Sequence, residues 1–329
     1  MPPEGPRVWA LTGNRRGDNN QVLGLADALG LPFEEKALRY NLLHDLPNAW
    51  LRASFLALDA ASRAALAAPY PDLVISIGRR AAPIARAIKR RSGGVTKLVH
   101  LGYPRLDPRG FDLVLTTPQY PVPEAANVVR LPMAIGPAAA PLPPEGAGAR
   151  FLARLARPRR LLLIGGRTRH WRLDAADLQA AIHTLLGEAA RHGGSLILLG
   201  SPRTPPALLA ACEVAIAGHP NAAMVPLGGT PSYAELLGDA DRLYVTADSV
   251  SMISEALATG KPLGLVPIRL ARGRLAALLR PRLRPRDLRV FWAELEARGL
   301  AGTVERPSAG NAPDVMGIVV AAVRRLLAR

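Results

Sequence analysis

The chain repeats one pattern twice: a short apolar run closed by glycine or a small polar turn, then a stretch with apolar residues at helical spacing. Apolar runs of strand length without polar alternation belong to strands buried on both faces. Such strands are built into parallel sheets with helices on either side. In the first half, residues 7–12 (RVWALT), 33–39, 72–77 (DLVISI), 97–101, 112–116 and 128–131 predict strands, and 21–29, 50–67 and 79–91 predict helices, with Gly30 as a left-handed stop. The second half predicts strands over 160–164 (RLLLI), 195–199, 223–225, 242–246 and 263–266. Its helices fall over 175–192, 206–217, 232–237 and 249–259.

Between the halves, GPAAAPLPPEGAG (136–148) has no periodicity and reads as a linker. At 329 residues the chain suits two domains of roughly 150 residues each. The expectation is an α/β protein with two Rossmann-like, doubly wound parallel-sheet domains facing a cleft. Its parts are 1–135, a linker over 136–148, and 149–329 with a terminal helix whose apolar face is Val315, Ile318, Val319, Ala322, Val323, Leu326 and Leu327.

Several classes of function are disfavoured. No run approaches the roughly 18 apolar residues of a membrane-spanning helix, and the first residues lack the pattern of a secretory leader, so a cytoplasmic location is expected. The single cysteine, Cys212, permits no internal disulfide or cysteine-cluster zinc site. His44, His170, His183, His192 and His219 show no ligand spacing and no metal is implied; His100 ends a buried strand near Gly102, where it could face the cleft.

Net charge is +16. Arginine dominates the basic residues in a chain rich in Ala, Gly and Pro, as genomic GC drift alone would produce. Arg269, Arg272, Arg274, Arg280, Arg282, Arg284, Arg286 and Arg289 nevertheless fall close together. A solvated surface and peripheral contact with an anionic membrane both accommodate that run. Nucleic acid is not expected, because no aromatic stacking ladder or recognition module accompanies the charge.

The segment YVTADSVSMISEALATGKPLGL (244–265) is the most informative. A strand ends at Thr246, a turn Ala247-Asp248-Ser249 follows, and a helix carries Ser251, Ser254 and Glu255. Free N–H groups at such a helix start, with the hydroxyls of Ser249 and Ser251, make a phosphate site; simple N-capping by Asp248 or Ser249 is the competing explanation. Gly165-Gly166-Arg167 closes the first strand of the second half, and a Gly pair there can admit a diphosphate or mark a tight turn. The polar stretch Gly13-Asn14-Arg15-Arg16-Gly17-Asp18-Asn19-Asn20-Gln21 reads as a loop at the mouth of the first domain. It lacks the dinucleotide pattern Gly-x-Gly-x-x-Gly.

The order Ser249, Ser251, Ser254, Glu255, Gly260, Pro262 resembles that of GT-B glycosyltransferases, among them those that add N-acetylglucosamine to lipid-linked peptidoglycan precursor. The resemblance implies that Glu255 binds the donor's ribose hydroxyls and that Gly165, Gly166 and Arg167, with Ser201, Arg203, Asp248, Ser249, Ser251 and Ser254, surround the nucleotide phosphates. It also implies an acceptor loop of Gly13, Asn14, Arg15, Arg16, Gly17, Asn19 and Gln21. No cofactor is implied; a nucleotide-diphosphate sugar is the substrate. Inverting members set a general base on an N-domain loop, and Asp18 is the carboxylate available, although a surface-turn aspartate would sit there equally well.

With Ser201-Pro202-Arg203-Thr204-Pro205 and Thr230-Pro231-Ser232-Tyr233, these stretches are similar to the elongated-mitochondria-type mitochondrial fission factor family, whose bacterial members often carry the label nucleoside-diphosphate-sugar epimerase. Short-chain sugar epimerases need Tyr-x-x-x-Lys. The residues four positions after Tyr40, Tyr70, Tyr103, Tyr120, Tyr233 and Tyr244 are His44, Val74, Asp107, Glu124, Leu237 and Asp248, so that chemistry is not expected. Glycosyl transfer to an envelope or lipid-linked acceptor is the leading expectation. A non-catalytic scaffold at a membrane and a nucleotide-sugar hydrolase or 2-epimerase of the same fold are the alternatives.

Overall fold

The computed structural model describes residues 5–136, 143–166, 168, 171–270 and 286–328. They form two compact units. Unit 1 opens with β1 (Val8–Thr12), α1 (Arg16–Leu29) and β2 (Phe33–Ala37), followed by α2 (Asn48–Leu51) and α3 (Ala60–Ala64). Then come β3 (Leu73–Ile77), α4 (Gly78–Arg91), β4 (Lys97–Leu101), β5 (Leu113–Thr116) and β6 (Val128–Arg130). The strands form one parallel sheet in the order β2-β1-β3-β4-β5-β6. Trp9, Leu11 and Val74 from the strands meet Ile84, Ala85 and Ile88 of α4 in its core.

α1 buries Val22, Leu25, Ala26 and Leu29, the one-face spacing of a packed helix, and ends where Gly30 turns left-handed at φ 68°. It begins at Arg16, not at residue 21, so the expected loop is largely the first turn of a helix: Arg16, Gly17, Asp18, Asn19 and Asn20 are helical. Polar residues there mark the solvated end of a helix as readily as a loop, and Asp18 suits the positive end of its dipole.

The helix expected over 50–67 is also absent as one element. Arg52 adopts φ 47°, ending α2, and the Asn41 amide takes the carbonyls of Leu56 and Leu58 out of any helical ladder. Asp59 then caps α3 by accepting from Ser62 N at 2.7 Å. Trp50 and Leu56 are left 73% and 55% exposed, so the apolar spacing there does not describe one buried face.

Unit 2 begins with α5 (Ala147–Ala153), β7 (Arg159–Ile164), β8 (Trp171–Arg172), α6 (Ala175–His192), β9 (Ser195–Gly200), α7 (Pro206–Ile216) and β10 (Ala222–Val225). It continues with α8 (Tyr233–Asp239), β11 (Arg242–Thr246), α9 (Val250–Leu257), β12 (Leu263–Val266), β13 (Arg269–Leu270), α10 (Leu288–Ala297) and β14 (Gly302–Thr303). Its sheet, also parallel, has the order β10-β9-β7-β11-β12-β14, while β8 and β13 pair antiparallel.

The last helix, α11 (Val315–Leu327), does not belong with unit 2 as expected. Residues 286–287 and 314–328 group with unit 1. Val315, Val319 and Val323 are buried, α11 packs on α1, β4 and β5, and Arg324 Nη2 donates to Leu29 O at 3.3 Å. An apolar face announces that a helix is packed without saying on what.

Candidate nucleotide site and the second unit's switch point

From β7 the chain of unit 2 winds through α6 to β9 on one side, whereas β11 leads through α9 to β12 on the other. The order reverses between β7 and β11, and the crevice at the carboxyl ends of two such strands is where open α/β sheets collect ligands. The Gly165-Gly166 turn follows β7 and the Ala247-Asp248-Ser249 turn follows β11, so the two segments singled out in the sequence flank that crevice.

They are locked to each other. Thr246 Oγ1 accepts from Gly165 N and donates to Asp248 Oδ1, both at 2.7 Å, and Asp248 Oδ2 accepts from Gly166 N at 3.0 Å. The Asp248 side chain has no solvent exposure. The expectation that the Gly165 and Gly166 amides hold the diphosphate is therefore corrected: a threonine hydroxyl and a carboxylate already occupy them. A Cβ on Gly166 would lie 1.9 Å from Arg203 O, so glycine is required there by the approach of the 201–205 loop. That loop is fixed by Thr204, whose hydroxyl accepts from Ser201 N and lies 2.8 Å from Ile164 O. Arg203 is the loop's outward group: its side chain is 46% exposed, with Nη2 held 3.2 Å from Asp248 Oδ2.

α9 starts beside this lock with Ser249 as its first flanking residue, and no side chain caps it; neither Asp248 nor Ser249 serves that purpose. Ser251 is partly exposed, whereas Ser254 is buried. Glu255 is 7% exposed and accepts a hydrogen bond from the Tyr233 hydroxyl, whose pKa is raised by burial and then by the Glu255 charge. Trp292 pins the turn from behind, Nε1 donating to Ala247 O at 3.0 Å while its ring meets Trp171 edge-on at 5.0 Å. Sequence reasoning assigned no role to Thr246, Tyr233 or Trp292. The Thr-x-Asp spacing at a strand end was the available signal for the first.

In unit 1, Asn19 both accepts from Gly13 N and donates to Gly13 O at 2.8 Å, so this residue of the expected acceptor loop braces the turn after β1. Gln21 donates to Gly17 O at 3.3 Å, and Asn14, Arg15 and Arg16 are exposed. Asp18 is half-buried, and burial raises its carboxyl pKa against the opposing pull of Arg15 and Arg286. The Tyr40 phenol nearby is pushed up to about 12, by burial first. His100 does not face an opening: it is fully buried, with Nδ1 2.8 Å from Ser76 Oγ and its ring 4.9 Å from Phe111, and burial pushes its pKa down to about 3.

Arg167 and most of the 269–289 arginine run lie outside the described residues. Arg269, within them, is spent on a bidentate pair with Asp177 at 2.7 and 2.6 Å. Among the described residues, no group of three His, Cys, Asp or Glu is placed to hold a metal, and no helix is long and apolar enough to cross a membrane.

Two six-stranded parallel sheets, each with helices connecting its strands, define an α/β protein of the GT-B class. Three solved structures share that fold over nearly the whole chain. They are S. aureus MnaA in a UDP co-structure (12% identity, 98% of this chain and 97% of that one, TM-score 0.53) and UDP-GlcNAc 2-epimerase from Methanocaldococcus jannaschii (11%, 97% and 99%, 0.53). The third is UDP-N-acetylglucosamine 2-epimerase from Rickettsia bellii (14%, 98% and 96%, 0.52). The chain belongs to the mitochondrial fission ELM1 family, whose profile matches residues 16–301. It is also similar to the uncharacterized protein RP120 of Rickettsia prowazekii (strain Madrid E), at 28% identity over 109 residues, covering 33% of this chain and 30% of that protein's length.

Proposed function

We propose that the chain binds a nucleotide-diphosphate sugar in unit 2 and transfers the sugar to a cell-envelope or lipid-linked acceptor. The carrying observation is Glu255: a carboxylate, nearly buried and held by Tyr233, on a helix that starts uncapped at a switch point. Such a carboxylate is suited to accept hydrogen bonds from both ribose hydroxyls. The diphosphate then meets the helix start at Ser249 and Ser251, with the anchored guanidinium of Arg203 as its cation. When the sugar's bond to the phosphate breaks, the departing nucleotide diphosphate gains negative charge, which these groups stabilise without a metal. Asp18 is assigned the acceptor's hydroxyl proton; its raised pKa makes it a stronger base than an ordinary carboxylate. That the S. aureus neighbour was solved with UDP supports a uridine donor.

Thermal-shift measurement against UDP, GDP, CDP and ADP sugars tests the reading. A ligand at a hundred times its Kd stabilises by about 2.7 kcal/mol, so stabilisation by one base class is expected and none by any would overturn the proposal. Product analysis with water as sole acceptor separates transfer from hydrolysis or 2-epimerisation, which the epimerase neighbours keep as the second reading. The chain is further proposed to act in the cytoplasm, peripherally on an anionic membrane, through basic groups such as Lys89, Arg90 and Arg91 in the last turn of α4.

A further inference from the structure

Unit 1 has a switch point of its own. From β1 the chain winds through α1 to β2, while β3 leads through α4 to β4 on the other side, so the order reverses between β1 and β3. Both helices that begin there are 14 residues long, and neither flanking residue, Arg15 nor Ile77, offers a side-chain cap.

Arginines gather at this point. Arg15 precedes α1, Arg79 and Arg80 stand in the first turn of α4, and Arg286 comes from the part of the chain that returns to unit 1. Arg79 is held rigidly, donating to His44 O at 2.8 Å and Leu46 O at 3.0 Å. Arg80 lies 5.8 Å from the centre of the Tyr40 ring, the ring that a Cβ on Gly13 would meet at 3.5 Å. The Nε of Arg286 is shut from solvent and has no hydrogen-bond partner among the described residues. Arg79 feels the like charges of Arg105, Arg80 and Arg15 against the opposite charge of Asp45, while Arg15 and Arg286 share the attraction of one carboxylate, Asp18. Crowded guanidinium groups beside two uncapped helix starts are costly until an anion joins them, and phosphate is the anion whose oxygens match both kinds of donor.

We infer that the switch point of unit 1 is a phosphate site, built from Arg15, Arg80, Arg286 and the starts of α1 and α4, and that it takes a phosphate-bearing acceptor rather than a neutral saccharide. The phosphate site stands on unit 1 alone; calling its ligand the acceptor rests on the transferase reading. A soluble sugar phosphate and a lipid-linked phosphate present the same chemistry to it.

The test is calorimetry of the full chain with inorganic pyrophosphate in the presence of saturating UDP, which fills the unit 2 site, comparing wild type, the Arg80→Gln/Arg286→Gln double variant and Arg191→Gln, at an exposed arginine in the last turn of α6. Removing two charge-assisted partners is expected to weaken pyrophosphate at least about tenfold, with Arg191→Gln close to wild type and UDP affinity unchanged in the double variant. Arg80→Lys, which keeps the charge, is expected to retain most of the binding, and an unchanged melting curve excludes misfolding as the cause. Binding that survives the double variant intact, or that Arg191→Gln weakens equally, overturns the inference. If UDP fails to bind while the arginine-dependent pyrophosphate site persists, the nucleotide-sugar reading falls and the phosphate site stands. Parallel arms with a hexose 1-phosphate in solution and a polyprenyl phosphate in neutral vesicles identify the source. Arginine-dependent binding in either arm supports a phosphate-bearing acceptor, and none in both overturns that assignment.

Discussion

The Asp248 carboxylate stands where a side chain on Gly165 would have to go: a Cβ there would lie 2.2 Å from Oδ1. Gly165→Ala is therefore expected to destabilise by about 1–3 kcal/mol through overpacking, read as a lower urea midpoint. In an Asp248→Ala background the same change is expected to cost much less, since the two effects share one contact and cannot add. Equal costs in both backgrounds would show that the lock is not what requires glycine.

Glu255→Gln keeps size, helix propensity and an acceptor for the Tyr233 hydroxyl, so the fold should persist. Loss of charge-assisted bonds worth about 1.5–3 kcal/mol predicts a fall in nucleotide affinity of roughly ten- to a hundredfold. A 2′-deoxy nucleotide should bind wild type more weakly and the variant almost as well as its ribose parent. Unchanged calorimetric affinity in a folded variant would remove the ribose assignment.

His100 predicts an acid-sensitive fold. Its pKa is lowered to about 3 in the folded chain from an ordinary value of 6.5, so the unfolded chain binds the extra proton throughout that interval. Stability is fully present above about pH 6.5 and declines as pH falls toward 3, by up to about 1.4 kcal/mol per pH unit from this group. His100→Leu should flatten that part of the urea-midpoint profile; an unaltered slope would place the acid sensitivity elsewhere.

Membrane contact predicts salt-sensitive sedimentation with anionic vesicles. Lys89 is paired with Asp112 at 2.6 Å and Arg91 lies 4.0 Å from the Phe55 ring centre, which singles out Arg90 in that turn for substitution. Each arginine near such a surface contributes roughly 1 kcal/mol, fading over about 10 Å at 0.1 M salt, so Arg90→Glu should reduce the bound fraction at low salt. Equal sedimentation on neutral and anionic vesicles would leave compositional drift as the account of the charge.

The central strands of both sheets are legible because burial on two faces forces unbroken apolar runs, such as the one before Gly165. The two-residue edge strand β14 carries no such run, and the last strand expected from the sequence is 263–266. The turns flanking the second crevice are legible too, through Gly165-Gly166 and Asp248-Ser249. Their satisfaction of one another is not: Gly166 and Asp248 are 82 positions apart, and nothing local states that they touch. Local composition misled in the opposite sense at Arg16–Asn20, where polarity marks a helix's first turn, and over 50–67, where Asn41 removes carbonyls from a ladder that apolar spacing alone predicts.

The return of α11 to unit 1 sets an order of assembly. A ribosome delivers β1 through β6 long before Val315, Val319 and Val323 emerge, so the surface those valines cover on α1, β4 and β5 stays open while all of unit 2 is made. Unit 1 is thus the first unit begun and the last finished, and a fragment cut at the linker is a half-closed intermediate rather than a domain.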